Sequence, residues 1–252
     1  MDKKISFLLA ILITFLIANN YYLFSSFTIQ NDRETVVISR VIDGDTLDLK
    51  DGRKIRLLNI NSPEKNTFGY SLSYEFLKKY ENKSVEINII DTDKYDRYLA
   101  RIYSKEDYLN LELVSLGFAS KFLVQDQELK DFSKAEQKAI ENSKGIWEKS
   151  DFFKCLSSEV FPEEEYLVLS NSCLEDIELN DWRLKDESTK FYKFKSLNIP
   201  RNKKITLYSL SGKDSSSSLF WNSESNIWNN DRDSLYLFDN EGRIASYFTY
   251  GY

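Results

Sequence analysis

Two stretches of this sequence hold residues that could do chemistry together: residues 41–64, V-I-D-G-D-T-L-D-L-K-D-G-R-K-I-R-L-L-N-I-N-S-P-E, and residues 93–100, D-K-Y-D-R-Y-L-A. They carry the carboxylates Asp43, Asp45 and Glu64, the amide Asn61, and the guanidinium groups Arg56 and Arg97. Oxygen donors without nitrogen or sulfur partners suit a hard cation such as calcium. One divalent ion would neutralise and hold a phosphate oxygen. Two arginine forks would grip the phosphate and meet the charge growing on a five-coordinate phosphorus, and Glu64 would take a proton from water. The set therefore points to metal-assisted attack of water at a bound phosphate group, provided the fold makes the two stretches neighbours.

Composition narrows the chemistry further. The chain of 252 residues contains no histidine, which excludes Ser-His-Asp and Cys-His triads, histidine-based zinc sites and any histidine base or nucleophile. Its formal charge of -6 divides into -1 over residues 33–149 and -5 over residues 150–252. A duplex reader held by many phosphate contacts would be basic, so contact with nucleic acid is expected to be local.

The elements that must position these residues are strands. An alternating run from Thr35 ends at Asp43-Gly44-Asp45 and resumes at Thr46, and Asp51-Gly52 reads as a hairpin turn before a run from Arg53 to Ile60. Further runs cover Lys83 to Ile90 and Leu99 to Tyr103. Helical spacing appears over Tyr70–Tyr80, Leu109–Leu116 and Gln127–Ser143, the last two closing near Gly117 and Gly145. Five strands with a helix after the third predict an OB-fold five-stranded β-barrel with three helices. After Trp147 the acidic, serine-bearing stretch reads as a linker. Short runs at regular intervals from Tyr166 to Thr249 then predict an immunoglobulin-like β-sandwich. The fold class is thus β-rich with two domains: an OB-type barrel domain over 33–149, a linker over 150–163 and a sandwich over 164–252.

The order of I-D-G-D-T, an Arg-Leu-Leu strand leading to Pro-Glu, and D-K-Y-x-R resembles the staphylococcal nuclease (thermonuclease) family from about Thr35 to Trp147. The resemblance implies a calcium-dependent endonuclease that binds one Ca²⁺ and cuts DNA or RNA, single-stranded or flexible, with low sequence specificity. It assigns Asp45 as the main calcium ligand, with Asp43, Thr46, Asn61 and Ser62 in the same metal site. Arg56, Arg97 and Glu64 take the catalytic positions, and Lys94 and Tyr95 the nucleotide-binding ones. Two positions depart from the family pattern: Asn61 stands where a second calcium carboxylate is usual, and Leu123 where a tyrosine is common. The alternative is a non-catalytic nucleic-acid or surface-binding protein that keeps the fold. The run from about Glu164 to Tyr252, with Tyr166-Leu-Val-Leu-Ser-Asn171 and Asn180-Asp-Trp182, resembles a lamin-tail domain. That implies attachment to a protein, a surface or nucleic acid, and no catalytic cluster appears in the run.

Residues 1–32 combine Lys3-Lys4 with the apolar run Ile5–Ala18, the pattern of a signal peptide or an N-terminal membrane anchor. The expectation is a monomer that is secreted or tethered to the outer face of the membrane. Export makes a disulfide between Cys155 and Cys173 the expected state of the two cysteines.

Overall fold

The computed structural model describes residues 33–124, 126–188 and 191–252. The expected leader, residues 1–32, lies outside the described residues. No helix among the described residues is long and apolar enough to cross a membrane.

The first domain follows its apolar alternation. Its strands β1 (Glu34–Val41), β2 (Thr46–Leu49) and β3 (Lys54–Leu57) form an antiparallel meander. A short β4 (Ile60–Asn61) precedes helix α1 (Tyr70–Lys78), followed by β5 (Ser84–Thr92), β6 (Tyr98–Ser104) and β7 (Asp107–Tyr108). Helix α2 (Leu109–Ser115), β8 (Ser120–Lys121) and helix α3 (Asp126–Glu141) complete it, with a short 3₁₀ turn at Gly145–Trp147. The sheet order is β3-β2-β1-β5-β6-β7, and β3 also pairs in parallel with β6. That pairing closes a five-stranded barrel. Ile38, Leu47, Ile55, Ile87 and Ile102 fill it, capped by Leu77 of α1 and by Leu109 and Leu113 of α2, all fully buried.

The expected single run from Arg53 to Ile60 is two strands, because Asn59 adopts a left-handed φ of 68°. The break is held from inside the barrel. Asn110, fully buried, donates to the carbonyls of Leu58 and Ala100 at 2.8 and 3.0 Å and accepts from the Ile102 amide at 3.0 Å. A buried amide with each bond made fixes the path of the chain. This break directs residues 59–64 away from β3 and toward the turn between β1 and β2.

The second domain contains β9 (Leu156–Phe161), β10 (Tyr166–Asn171), β11 (Ile177–Glu178), β12 (Arg183–Lys185), β13 (Phe191–Lys193) and β14 (Asn198–Ile199). It continues with β15 (Lys204–Tyr208), β16 (Ser218–Phe220), β17 (Asp233–Phe238) and β18 (Ile244–Tyr250). One sheet has the order β16-β15-β10-β9 and the other β13-β12-β17-β18, with β11 and β14 paired separately. Leu167, Leu169, Leu184, Leu207, Leu235 and Leu237 interleave between the sheets, with Trp182 buried among them. Cys155 and Cys173 are joined in a disulfide with Cα atoms 4.7 Å apart.

Residues 150–163, expected as a linker, are largely structured. β9 pairs along its whole length with β10, and the Ile244 amide donates to the Glu148 carbonyl while the Ser150 amide donates to the Ile244 carbonyl. Ser157 and Glu159 lie on the outward face of β9; Leu156 and Val160 are buried on the inward face, with Ser158 between them and its Oγ 2.8 Å from Ser246 Oγ. Two buried apolar side chains four residues apart in a six-residue strand leave little periodic signal in the sequence.

The two domains share a small apolar core in which Ala139, Ile140, Ile146 and Trp147 pack with Tyr236 and Ile244. The Trp147 ring stacks on Tyr236 at 5.3 Å and on Phe238 at 6.3 Å between centroids.

Candidate active site

The turn between β1 and β2 carries Asp43, Gly44 and Asp45. Gly44 is required there by close approach: a Cβ at that position would lie 2.1 Å from Ser73 Oγ and 2.8 Å from Ser62 Cβ. The turn therefore presses against both α1 and the segment after β4. The Asp45 amide donates to Asp43 Oδ1 at 3.0 Å, and the Ile42 amide donates to the Thr46 carbonyl at 2.9 Å.

Asp45 is buried, and its carboxylate gathers the site. Oδ1 accepts from Thr46 Oγ1 at 3.1 Å and pairs with Arg56 Nε at 3.2 Å, while Oδ2 accepts from the Ser62 amide at 2.8 Å. The register of β2 with β3 places Thr46 opposite Arg56. Arg56 also donates to the Leu57 carbonyl at 2.7 Å and, weakly, to Asn61 Oδ1 at 3.5 Å. Burial, and then the charge of Asp45, pushes the Asp43 carboxyl above its ordinary range.

Arg97 enters from the turn before β6. Asp93 Oδ2 accepts from its Nε at 2.8 Å and lies 2.7 Å from its Nη2, and its Nη1 reaches Thr46 Oγ1 at 3.5 Å. Burial works to raise the Asp93 carboxyl, but the bonds from Arg97 and the Tyr95 amide outweigh it and hold it below the usual carboxylate range. Asp93 has no assigned role in the sequence reading. Its spacing of four residues before Arg97 was the signal that could have found it.

The arrangement is a cleft of about 390 Å³ lined by Asp43, Asp45, Arg56, Asn61, Glu64 and Arg97 among others. Glu64 stands in the loop after β4, exposed, and its carboxylate makes no hydrogen bond or ion pair with a described residue. The fold thus gathers the three charged residues expected to act on phosphate, with Asp43, Asp45 and Asn61. Ser62 contributes its backbone amide to Asp45, and Thr46 bridges Asp45 and Arg97. Lys94 and Tyr95 do not line the cleft. They lie on the exposed turn beside it, where the Tyr95 ring sits 5.0 Å from Lys94 Nζ and 5.5 Å from the Arg97 guanidinium. Leu123 lines the cleft and is 68% exposed. Cys155 and Cys173 belong to the second domain's disulfide. No group of three or more histidine, cysteine, aspartate or glutamate residues able to hold a metal ion occurs among the described residues.

Comparison with known proteins agrees with this geometry. The staphylococcal nuclease homologue family matches residues 54–149, and the lamin tail domain family matches residues 156–252. Endonuclease YhcR of Bacillus subtilis (strain 168) is 29% identical over 140 residues, which cover 46% of this chain and 11% of that much longer protein. An uncharacterized endonuclease of Escherichia coli is 31% identical over 121 residues, covering 45% of this chain and 77% of its own length. The thermonuclease of Staphylococcus intermedius is 30% identical over 131 residues, covering 46% of this chain and 77% of its own length. With the closed barrel, the paired arginines and these relatives in agreement, the chain belongs to the staphylococcal nuclease homologue family and carries a lamin tail domain behind its nuclease-like barrel.

Proposed function

We propose that this protein is an exported, calcium-dependent nuclease that hydrolyses phosphodiester bonds of DNA or RNA with low sequence specificity. The observation that carries the reading is the cleft itself: Arg56 and Arg97 meet through Asp45 and Thr46, and Glu64 stands unpaired at the same opening. The two guanidinium groups would bind the phosphate and offset the charge that develops on it. Glu64 would accept the proton of the attacking water as the new P–O bond forms and one ester P–O bond breaks.

Hard oxygen donors fit calcium. Asp43 and Asp45 are two carboxylates close enough for the charge of one to raise the other, and Asn61 adds a neutral oxygen. These residues would hold the ion together with water, and the bound ion would neutralise a phosphate oxygen. Asn61 supplies no charge, so the affinity for calcium should be modest. Calorimetric titration should show that Asn61→Asp binds Ca²⁺ more tightly than the wild type; equal affinities would remove the idea.

Export rests on the leader pattern of residues 1–18 and on the disulfide, which persists in oxidising compartments. The deciding experiment is cleavage of single-stranded DNA and of RNA by the purified chain, with calcium and with EGTA. Calcium-dependent cleavage supports the reading. Binding without cleavage in either condition would favour a protein that keeps the fold and only binds.

A further inference from the structure

A second concavity, about 180 Å³, lies at the junction of the two domains and shares Asn61, Ser62, Pro63 and Glu64 with the phosphate cleft. It therefore adjoins that cleft. Its far wall comes from the lamin tail domain, and strand register explains which side chains that domain presents. In β12, Leu184 points into the sandwich core, so Arg183 and Lys185 lie on the opposite face. Phe191 and Tyr236 pair with Lys185, and Phe238 pairs with Arg183. Cations and aromatic rings thus alternate on one sheet face, and all five line the groove.

Two of the rings are unusually open for their size: Phe191 is 50% exposed and Phe68, on the barrel side, is 44% exposed. Both are held in place. The Arg183 guanidinium lies 5.3 Å from the Phe191 ring centre and makes no ion pair with a described residue. Phe68 packs against Gly242 of the turn between β17 and β18, where a Cβ would come within 2.8 Å of Phe68 Cβ. At the floor, Trp147 is 1% exposed and its indole N–H has no acceptor among the described residues.

The exposed faces of Phe191 and Phe68, with the Arg183 guanidinium beside the former, form a platform for unstacked bases. The groove shares Asn61, Ser62, Pro63 and Glu64 with the phosphate cleft, so a strand whose phosphate lay in the cleft would bring its neighbouring bases to this patch. We propose that the groove binds the unpaired bases flanking the scissile phosphate of a single-stranded nucleic acid, which makes the lamin tail domain part of the substrate-binding surface. The inference rests on the nuclease reading for the position of the phosphate. It gives the second domain a function in selecting single strands, since bases inside a duplex cannot reach these rings.

The test is equilibrium binding of fluorescent oligothymidylates of two and eight nucleotides to the full chain in EGTA, followed by anisotropy, beside calcium-supported cleavage of the same strands. Phe191→Ala should weaken binding of the octamer about tenfold and Arg183→Gln about threefold, with a smaller loss for the dimer. Phe68→Ala tests the barrel side independently, and the melting temperature of each variant separates misfolding from lost contact. Octamer affinity equal to wild type in Phe191→Ala and Phe68→Ala, or an equal loss at both lengths, would overturn the proposal, as would a wild type that binds no octamer. A wild type that binds through Phe191 but does not cleave with calcium would refute the nuclease reading and leave the groove standing.

Discussion

The candidate cleft and the buried Lys121 cluster at the domain junction use the same residue types and do opposite things with them. In the cleft, Arg56 and Arg97 are held by Asp45 and Asp93 at an opening to solvent, and Glu64 is left exposed. At the junction, Lys121 is 1% exposed. Its Nζ lies 2.6 Å from Glu187 Oε1 and 3.4 Å from Glu136 Oε2, and it donates to Ser234 Oγ at 2.6 Å. Tyr236 donates to both oxygens of Glu136 at 3.2 Å, Tyr247 donates to the same carboxylate at 3.4 Å, and Tyr252 donates to Glu187. Burial drives the Glu136 carboxyl upward in spite of Lys121. Each charge of this cluster is satisfied from within, by groups of both domains. Charge marks a working site only where access leaves it unfinished; where access is closed it fixes how two surfaces meet.

The comparison breaks most decisively on activity. Glu64→Ala should lower kcat by roughly 10²- to 10⁴-fold with a stability change within about 0.5 kcal/mol, as expected for an exposed side chain. Arg56→Ala should lose about 10²- to 10³-fold and should also destabilise the barrel, because it leaves the buried Asp45 carboxylate without its cation. If both variants keep wild-type rates, the cleft is not catalytic. The junction should respond the other way round. Lys121→Met leaves Glu136 and Glu187 buried without their cation, so urea unfolding should show a loss of about 3–5 kcal/mol, while the rate per folded molecule stays within twofold or so. A catalytic defect as large as that of Glu64→Ala would erase the distinction between the regions.

The barrel was legible because its strands alternate: Ile38, Ile55 and Ile87 each mark an inward face, and the turn after β1 carries Asp43 and Asp45 of the candidate site. The cleft was legible for the same reason, since a turn and two neighbouring strands bring Asp45, Arg56 and Glu64 close in sequence as well as in space. The junction was not. Lys121, Glu136 and Glu187 lie on elements far apart in the chain, and each reads singly as a solvated charge. One trace was present: Phe132, Glu136, Ala139 and Ile140 form a single buried stripe of α3, so Glu136 interrupts an apolar face and must meet a partner there. What partner it meets depends on how two domains dock, which no local pattern encodes.

A smaller effect is expected from the disulfide, which ties residue 155 to residue 173 on the sandwich side of the junction. Replacing both cysteines by alanine should cost about 3 kcal/mol by the chain-entropy account, read in the denaturant midpoint. The cleft should bind substrate as before in the folded fraction. A loss of affinity for long strands alone would instead show that the sandwich must be rigid to present its side of the groove.

The smallest effect separates the two regions by pH. Asp233, at the start of β17, accepts from the backbone and side chain of Asn229 and from the Ser234 amide, but burial outweighs these bonds, and its carboxyl is pushed up to about 7. A raised carboxyl binds its proton more tightly in the folded state, so its contribution to stability is fully present below about pH 4 and is lost as pH rises through about 7. Asp93 in the cleft has the opposite sign. Its carboxyl is held down, so its contribution is present above about pH 4 and fades on acidification. Stability measured by denaturant from pH 4 to pH 8 should therefore decline less steeply in Asp233→Asn than in the wild type, even though the substitution loses an acceptor and lowers the whole curve. Asp93→Asn should flatten only the acid end, below about pH 4. Parallel curves for wild type and Asp233→Asn between pH 4 and pH 8 would mean that Asp233 ionises normally in the folded protein, and that the sealed side of the molecule tolerates its buried charge as readily as the open side does.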